Sequence, residues 1–171
     1  GGDSRIGDLI FERISKVPFQ QFGKAFMRIT PTTQRLLKNA YGDEFLSPTG
    51  LYLENEDSLN VPLNNKARCY TGKVWLLTSN YTFSSAASFS WTFKYFNMGK
   101  VVGEETGGMN VCFGYVLEYR LPISQLYCYI SYKRFWQYGA DETDIHGTIP
   151  DIAVPADKAL ETTLQLIRNK K

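Results

Sequence analysis

Histidine is almost absent from this chain: His146 is the only one among 171 residues. Cysteine is scarce, with Cys69, Cys112 and Cys128 alone, and no two of them stand in a Cys-x-x-Cys spacing. A zinc centre of the usual His/Cys type is therefore not expected, and no motif implies a metal or another cofactor. A catalytic triad built from this chain alone would have to use His146. No apolar run approaches the roughly 20 residues that span a bilayer; Val74-Trp75-Leu76-Leu77 is typical of the longest. An excess of one charge is missing too. Nineteen basic residues against 17 acidic ones leave a formal net charge of +2, which gives no reason to expect nucleic acid or an anionic membrane as partner. There is no internal repeat and no low-complexity tract. The chain opens on Gly1-Gly2 without a methionine or a secretory signal, which reads as a processed or excised piece.

What is abundant is aromatic and apolar. The chain is 43% hydrophobic and carries 11 Phe, 11 Tyr and 3 Trp, enough for one domain's core without disulfide or metal staples. Ile6, Leu9, Ile10 and Ile14 recur at helical spacing and predict an amphipathic helix over 4–16. Residues 22–30 suit a strand, and Thr30-Pro31 a helix start, with Thr as N-cap and Pro at the first helical position. Residues 41–68 are polar and turn-rich and read as an irregular insertion, not a second domain. Lys73 to Thr78 (KVWLLT) has the near-continuous apolar pattern of a strand buried on both faces. A helix follows from about 84 to 97, with Phe89, Phe93 and Phe96 on one side. Then come a short strand at Val101-Val102, a glycine loop, strand-like segments near 111–120 and 125–132, and a short strand at 152–154. A terminal helix over 156–168 places Leu160, Leu164 and Ile167 inward. Strands alternating with helices argue an α/β fold.

Three segments could carry chemistry. YTFSSAASF (81–89) puts serines where a strand meets a helix, and orphan N–H groups at a helix start stabilise negative charge. A serine there can attack a carbonyl while the next N–H holds the oxyanion; as a plain alternative, Ser84 serves only as an N-cap. The Gly-x-Ser-x-Gly elbow is absent, which disfavours an α/β-hydrolase. GEETGGMN (103–110) has the glycine spacing of a phosphate-binding loop. Met109 and Asn110 replace its Lys and Ser/Thr, so it reads as a turn that lets backbone approach something closely. Asp141, Glu142 and Asp144 precede His146-Gly147, where a carboxylate could orient an imidazole, although on the residues alone a solvated acidic loop is the better explanation. Asn80-Tyr81-Thr82 is a glycosylation sequon of the kind chance supplies, and the cysteines read as small buried hydrophobes.

In this order the segments resemble the C-terminal processing (tail-specific) serine peptidases, in particular the Ser-His branch with the tricorn core and the retinoid-binding-protein-like members. Gly1-Gly2 is similar to the end of that family's Asp-x-Arg-x-Asn-x-Gly-Gly motif. TFSSA (82–86) is similar to its nucleophile segment and GEETGG (103–108) to the next glycine loop. LPIS (121–124) is similar to its Leu-Pro-x-Ser, and GTIPDIAV (147–154) to its closing Gly-x-x-Pro-Asp strand. The likeness covers most of 1–12 and 72–168 and none of 41–68. It implies that residues 1–171 are the C-terminal portion of a peptidase catalytic domain with a ClpP/crotonase-like spiral of β-β-α units.

Carried over by residue, the resemblance implies Ser85 as nucleophile, because the family serine is the one followed directly by Ala. It implies the backbone N–H groups of Gly2 and Ala86 as the oxyanion hole. A Ser–Lys dyad is excluded, since Met109 holds the lysine's place. Asp144, three residues before Gly147, takes the place of the Ser-His branch's carboxylate, with Glu142 as the alternative. The branch's histidine lies upstream of the Gly-Gly motif, so His146 reads as a structural or rim residue. The implied partner is a polypeptide cleaved near its C-terminus or in unfolded segments. The implied location is extracytoplasmic, and no oligomeric state is implied. Two rivals stand beside this reading: a non-catalytic module binding an apolar ligand among its aromatics, and a crotonase-type acyl-CoA enzyme.

Overall fold

A computed structural model describes residues 2–41, 50–55, 59–63 and 68–169. In chain order the elements are α1 (Ser4–Ile14), β1 (Phe22–Ile29), α2 (Pro31–Tyr41), β2 (Gly50–Asn55), β3 (Trp75–Thr78), α3 (Ser85–Tyr95), β4 (Lys100–Gly103), β5 (Val111–Arg120), β6 (Tyr127–Gln137), β7 (Ile152–Ala153) and α4 (Ala156–Arg168). The fold is mixed α/β. One sheet is antiparallel with strand order β2-β1-β6-β5, and the other is parallel with order β3-β4-β7.

Local chemistry accounts for the boundaries. The α2 start is closed by a reciprocal pair: Thr33 N–H donates to Thr30 Oγ1 at 3.2 Å, and Thr30 N–H donates to Thr33 Oγ1 at 2.6 Å. The proline that follows Thr30 has no N–H to satisfy, as the first helical position prefers. Between β3 and β4 the chain crosses over through α3, the connection that parallel strands require. The core is aromatic: Phe11, Phe19, Phe93 and Val101 are buried together, with Phe89 and Phe96 packed against them. Phe11 of α1 stacks on Phe89 of α3 at 4.2 Å between ring centroids, which locks the two helices side by side. A second cluster of Met27, Ile29 and Leu37 seats α2 on β1.

Several expectations are corrected. In α1 the buried residues are Gly7 and Phe11, whereas Ile6, Leu9 and Ile10 are exposed and only Ile14 packs on the core. In α4 the buried residues are Ala159 and Thr163, and Leu160, Leu164 and Ile167 face out. Both helices dock through small residues or one ring, which lets their backbones come close. β3 is an edge strand of the parallel sheet with Leu77 41% exposed, not a strand buried on both faces. Within 41–68, the stretch Gly50–Asn55 is a regular strand paired antiparallel to β1, from Lys24 opposite Asn55 to Ile29 opposite Gly50. The rest of that insertion lies partly outside the described residues, at 42–49, 56–58 and 64–67. The three cysteines are half-buried, not core residues, and the Cys69 thiol donates to Leu63 O at 3.3 Å.

Candidate active site

β3 ends at Thr78, whose hydroxyl donates to the carbonyl of Glu104 at 2.8 Å and so fastens the strand end to the glycine loop. The following turn is drawn tight by Thr82 N–H to Ser79 O at 2.9 Å and Ser79 N–H to Thr82 Oγ1 at 3.1 Å. Ser84 stands at the N-cap position of α3 with φ 55° and ψ −134°, and its side chain makes no capping bond. Ser84 therefore is no ordinary cap. A non-glycine residue in that region is held at a cost of about 1–3 kcal/mol, which the surroundings must over-determine. The turn throws the next side chain, Ser85, out at the first position of α3.

The glycine loop is what crowds that turn. Gly108 N–H donates to Thr82 O at 2.9 Å. A Cβ on Gly108 would stand 2.6 Å from the Ala87 Cβ and 3.3 Å from the Ser84 nitrogen, so only glycine lets the loop lie this close. The expectation of a close backbone approach at GEETGG thus holds, and what it approaches is the Ser84–Ser85 turn.

Ser85 Oγ donates to the Gly2 carbonyl at 2.8 Å and receives the Ser4 hydroxyl at 3.3 Å. Ser4 is the first residue of α1, and Asp3 is its N-cap, accepting Arg5 N–H at 3.0 Å. The side-chain bond from Arg5, with its backbone N–H, holds the Asp3 carboxyl below the usual carboxylate range. The starts of α1 and α3 thus converge on one hydroxyl, and each start contributes the partial positive charge of its unpaired N–H groups.

Of the residues expected at the site, Gly2 and Ala86 do flank Ser85, but not as donors aimed at it. Gly2 presents its carbonyl, and Ala86 N–H is engaged by Phe83 O at 3.2 Å. Asp144 makes no hydrogen bond to Ser85 among the described residues. Its carboxylate accepts Asp141 N–H at 2.8 Å and it lines a pocket of about 200 Å³ with Trp91, Lys94, Asn110 and His146. Trp91 and Lys94 lie six and nine residues beyond Ser85, some 9–13 Å further along α3 at ~1.5 Å per residue. Glu142 is occupied by Arg134 at 2.6 Å and by the Trp136 indole at 3.0 Å. His146 is 66% exposed on the pocket rim, with Nδ1 3.4 Å from Glu105 Oε1. That same Glu105 oxygen accepts Gly147 N–H at 2.9 Å. Among the described residues, no imidazole or carboxylate hydrogen-bonds Ser85. Two partners went unnoticed in the sequence, Ser4 and Glu105. Ser4 could have been found as a hydroxyl at a helix start two residues after Gly2.

These features define a mixed α/β protein that presents a serine at the junction of a strand and a helix, under a glycine loop. The chain belongs to peptidase family S41, whose family model matches residues 25–154. Among solved structures it is similar to a candidate peptidase from Parabacteroides merdae, with a TM-score of 0.60 and 18% identity over 97% of this chain and 48% of that one. It is also similar to mature CPAF, with a TM-score of 0.61 and 15% identity over 99% of this chain and 42% of that one. At these identities the likeness is one of fold. The chain spans less than half the length of both structures. No curated protein sequence matches it.

Proposed function

We propose that this chain is the nucleophile-bearing part of a serine peptidase that hydrolyses peptide bonds through an acyl-enzyme. The observation that carries the reading is the convergence of two helix starts on the Ser85 hydroxyl, at a turn that Gly108 backs closely. In the arrangement described, the Ser85 proton rests on the Gly2 carbonyl. For attack, Oγ turns from Gly2 to a base, bonds to the substrate carbonyl carbon and gives up its proton, which later leaves with the amine. Water then hydrolyses the ester. The positive ends of α1 and α3 lie where the oxyanion forms, and the Gly2 and Ala86 amides serve it once they are released from their present arrangement.

The base in this reading is a histidine from outside these 171 residues, as the family pattern implies, and His146 pairs with Glu105 instead of with Ser85. Asp144 would help set that base; its support is its position three residues before Gly147, as in the family pattern. We read the parallel sheet with its α3 crossover and the β5–β6 hairpin as part of a ClpP/crotonase-like spiral of β-β-α units. A polypeptide is the substrate class. The apolar-ligand rival gains no support from the pocket beside α3: its 200 Å³ falls below the ~300–1,000 Å³ of small-molecule sites, and it is rimmed by Lys94, Asp144 and His146.

A fluorophosphonate probe tests the reading. The full-length protein should form an adduct on Ser85 that Ser85→Ala abolishes, and absence of the adduct would refute it. The 171-residue chain alone should fold without cleaving; Ser85-dependent proteolysis by this chain would instead promote His146 to base.

A further inference from the structure

An acyl-enzyme route needs donors for an oxyanion, and the two amides assigned to it are not yet aimed. Gly2 turns its carbonyl towards Ser85, and Ala86 N–H is held by Phe83 O. One donor does reach the nucleophile. The Ser4 hydroxyl donates to Ser85 Oγ at 3.3 Å, while Ser85 donates to Gly2 O at 2.8 Å. With its own proton engaged by Gly2, Ser85 Oγ can only accept from Ser4, so the direction of that bond is fixed. Ordinary O–H···O bonds run about 2.5–3.0 Å, so the Ser4 contact is slack in the resting site.

Ser4 is not there to cap a helix. Asp3 has that role, accepting Arg5 N–H, and Ser4 is the first residue of α1. It is half-buried and held from behind by Gln21, whose Nε2 donates to Ser4 O at 2.7 Å and to Asp8 Oδ1 at 2.8 Å. Gly7 makes room for that reach: a Cβ there would stand 3.2 Å from Gln21 Nε2 and 3.2 Å from Phe89 Cδ2. Gln21 is only 3% exposed, and Ser4 O can only accept, so the amide nitrogen has to face it. The amide oxygen is thereby left without a partner among the described residues, which is costly for a buried acceptor. The fold tolerates that orphan while the α1 start, and Ser4 with it, is held against Ser85.

We propose that Ser4 is a further catalytic residue, the side-chain donor of the oxyanion hole, and that Gln21 is its positioning residue. The assignment rests on the peptidase reading. In the attack, Ser85 gives its proton to the base and Oγ bonds to the substrate carbonyl carbon, whose π pair moves onto the carbonyl oxygen. The Oγ lone pairs are then drawn into an ester-like bond and accept poorly. The new oxyanion, one bond angle away from Oγ, accepts strongly. The Ser4 hydroxyl keeps its proton throughout and swings from the first oxygen to the second. Its bond is weak before the reaction and strong in the transition state, which is the kind of contact that speeds a chemical step.

Labelling of the full-length protein at rising fluorophosphonate concentrations tests this, because attack on phosphorus also builds negative charge on an oxygen beside Oγ. Ser4→Ala should lower the maximal labelling rate by roughly ten- to a hundredfold, the worth of one hydrogen bond to a charged oxygen. The probe concentration giving half the maximal rate should not change. Ser4→Thr, which keeps the hydroxyl, should label near the parent's rate. Both variants should unfold in urea at the parent's midpoint, since Asp3 and not Ser4 caps α1. Gln21→Met should slow labelling in the parent and add little in Ser4→Ala, where no hydroxyl is left to position. A parent-like maximal rate in Ser4→Ala, equal slowing in Ser4→Thr, or an effect confined to the half-maximal concentration would overturn the role of Ser4. In each of those cases the Ser85 adduct itself leaves the peptidase reading standing. Strictly additive losses in the double variant would overturn the role of Gln21. No adduct on Ser85 in the parent would refute the peptidase reading, and the assignment of Ser4 with it.

Discussion

Ser84 carries the backbone strain of the site and Ser85 its hydroxyl, and the two roles separate by substitution. Glycine adopts positive φ freely, so Ser84→Gly removes a steric cost of about 1–3 kcal/mol while adding about 0.5–1 kcal/mol of unfolded-chain entropy. The variant should be more stable by roughly 1 kcal/mol in urea unfolding; a less stable Ser84→Gly would show that the turn is not strained. Asp8 is a second residue whose environment works against it. Its carboxyl is raised above the ordinary 3.8 first by burial, and then by Glu12 and Asp3, while the Gln21 amide at 2.8 Å acts in the opposite direction. A raised folded-state value means that the native state binds the proton more readily than the unfolded chain does. That contribution is present below the ordinary carboxylate value and is lost as pH rises through the raised one. Asp8→Asn should therefore be more stable than the parent at neutral pH, and the gap should close as pH falls towards 3.8, which paired unfolding curves at the two pH values would show. A gap that widens on acidification would reverse the sign of the argument.

Helices and strands were more legible in the sequence than the sides on which they pack. The 3.6-residue period of 4–16 and 156–168 located α1 and α4, and the Thr30-Pro31 signal located the start of α2. Period alone does not say which stripe is buried when a helix carries two. In α1 the side with Gly7 and Phe11 fits against Phe89, whereas Ile6, Leu9 and Ile10 form the larger stripe and stay outside. The consequence is measurable. Phe11→Ala removes a ring fully enclosed by Phe19, Phe89 and Phe93 and should cost about 3–5 kcal/mol. Ile10→Ala, on the exposed stripe, should change stability by no more than about 0.5 kcal/mol. Equal losses in the two variants would mean that the helix sits the other way round. The strand at Gly50–Asn55 was missed because it is embedded among turn residues and its partner, β1, lies more than twenty residues away. The Ser84–Ser85 turn was legible because its chemistry is local, from Thr78 to Ala86. The partners of Asp144 were not, since they depend on how the 141–147 loop folds back towards Trp91 and Lys94 of α3.

The described residues form two sheets that share no strand, so their unity depends on what passes between them. α3 belongs to the parallel layer by connection, yet it is tied to β6 by Gln137 Nε2 donating to Ser88 Oγ at 2.8 Å in a fully buried position. The Trp91 indole adds a second tie, to Tyr138 O at 2.9 Å. Gln137 Oε1 finds no partner, so the amide has no spare bond to fall back on. Removing the Ser88 hydroxyl leaves a buried amide unsatisfied at both ends, which costs about 1–3 kcal/mol. Ser88→Ala should therefore destabilise by that amount, whereas Ser88→Ala combined with Gln137→Leu should recover part of the loss, because the polar group is then gone as well. Because α3 also carries Ser85 at its start, the single variant should loosen the α3–β6 junction and slow fluorophosphonate labelling of the full-length protein. The double variant should restore labelling together with stability. Strictly additive losses in the double-mutant cycle would show that the two residues do not act as a pair.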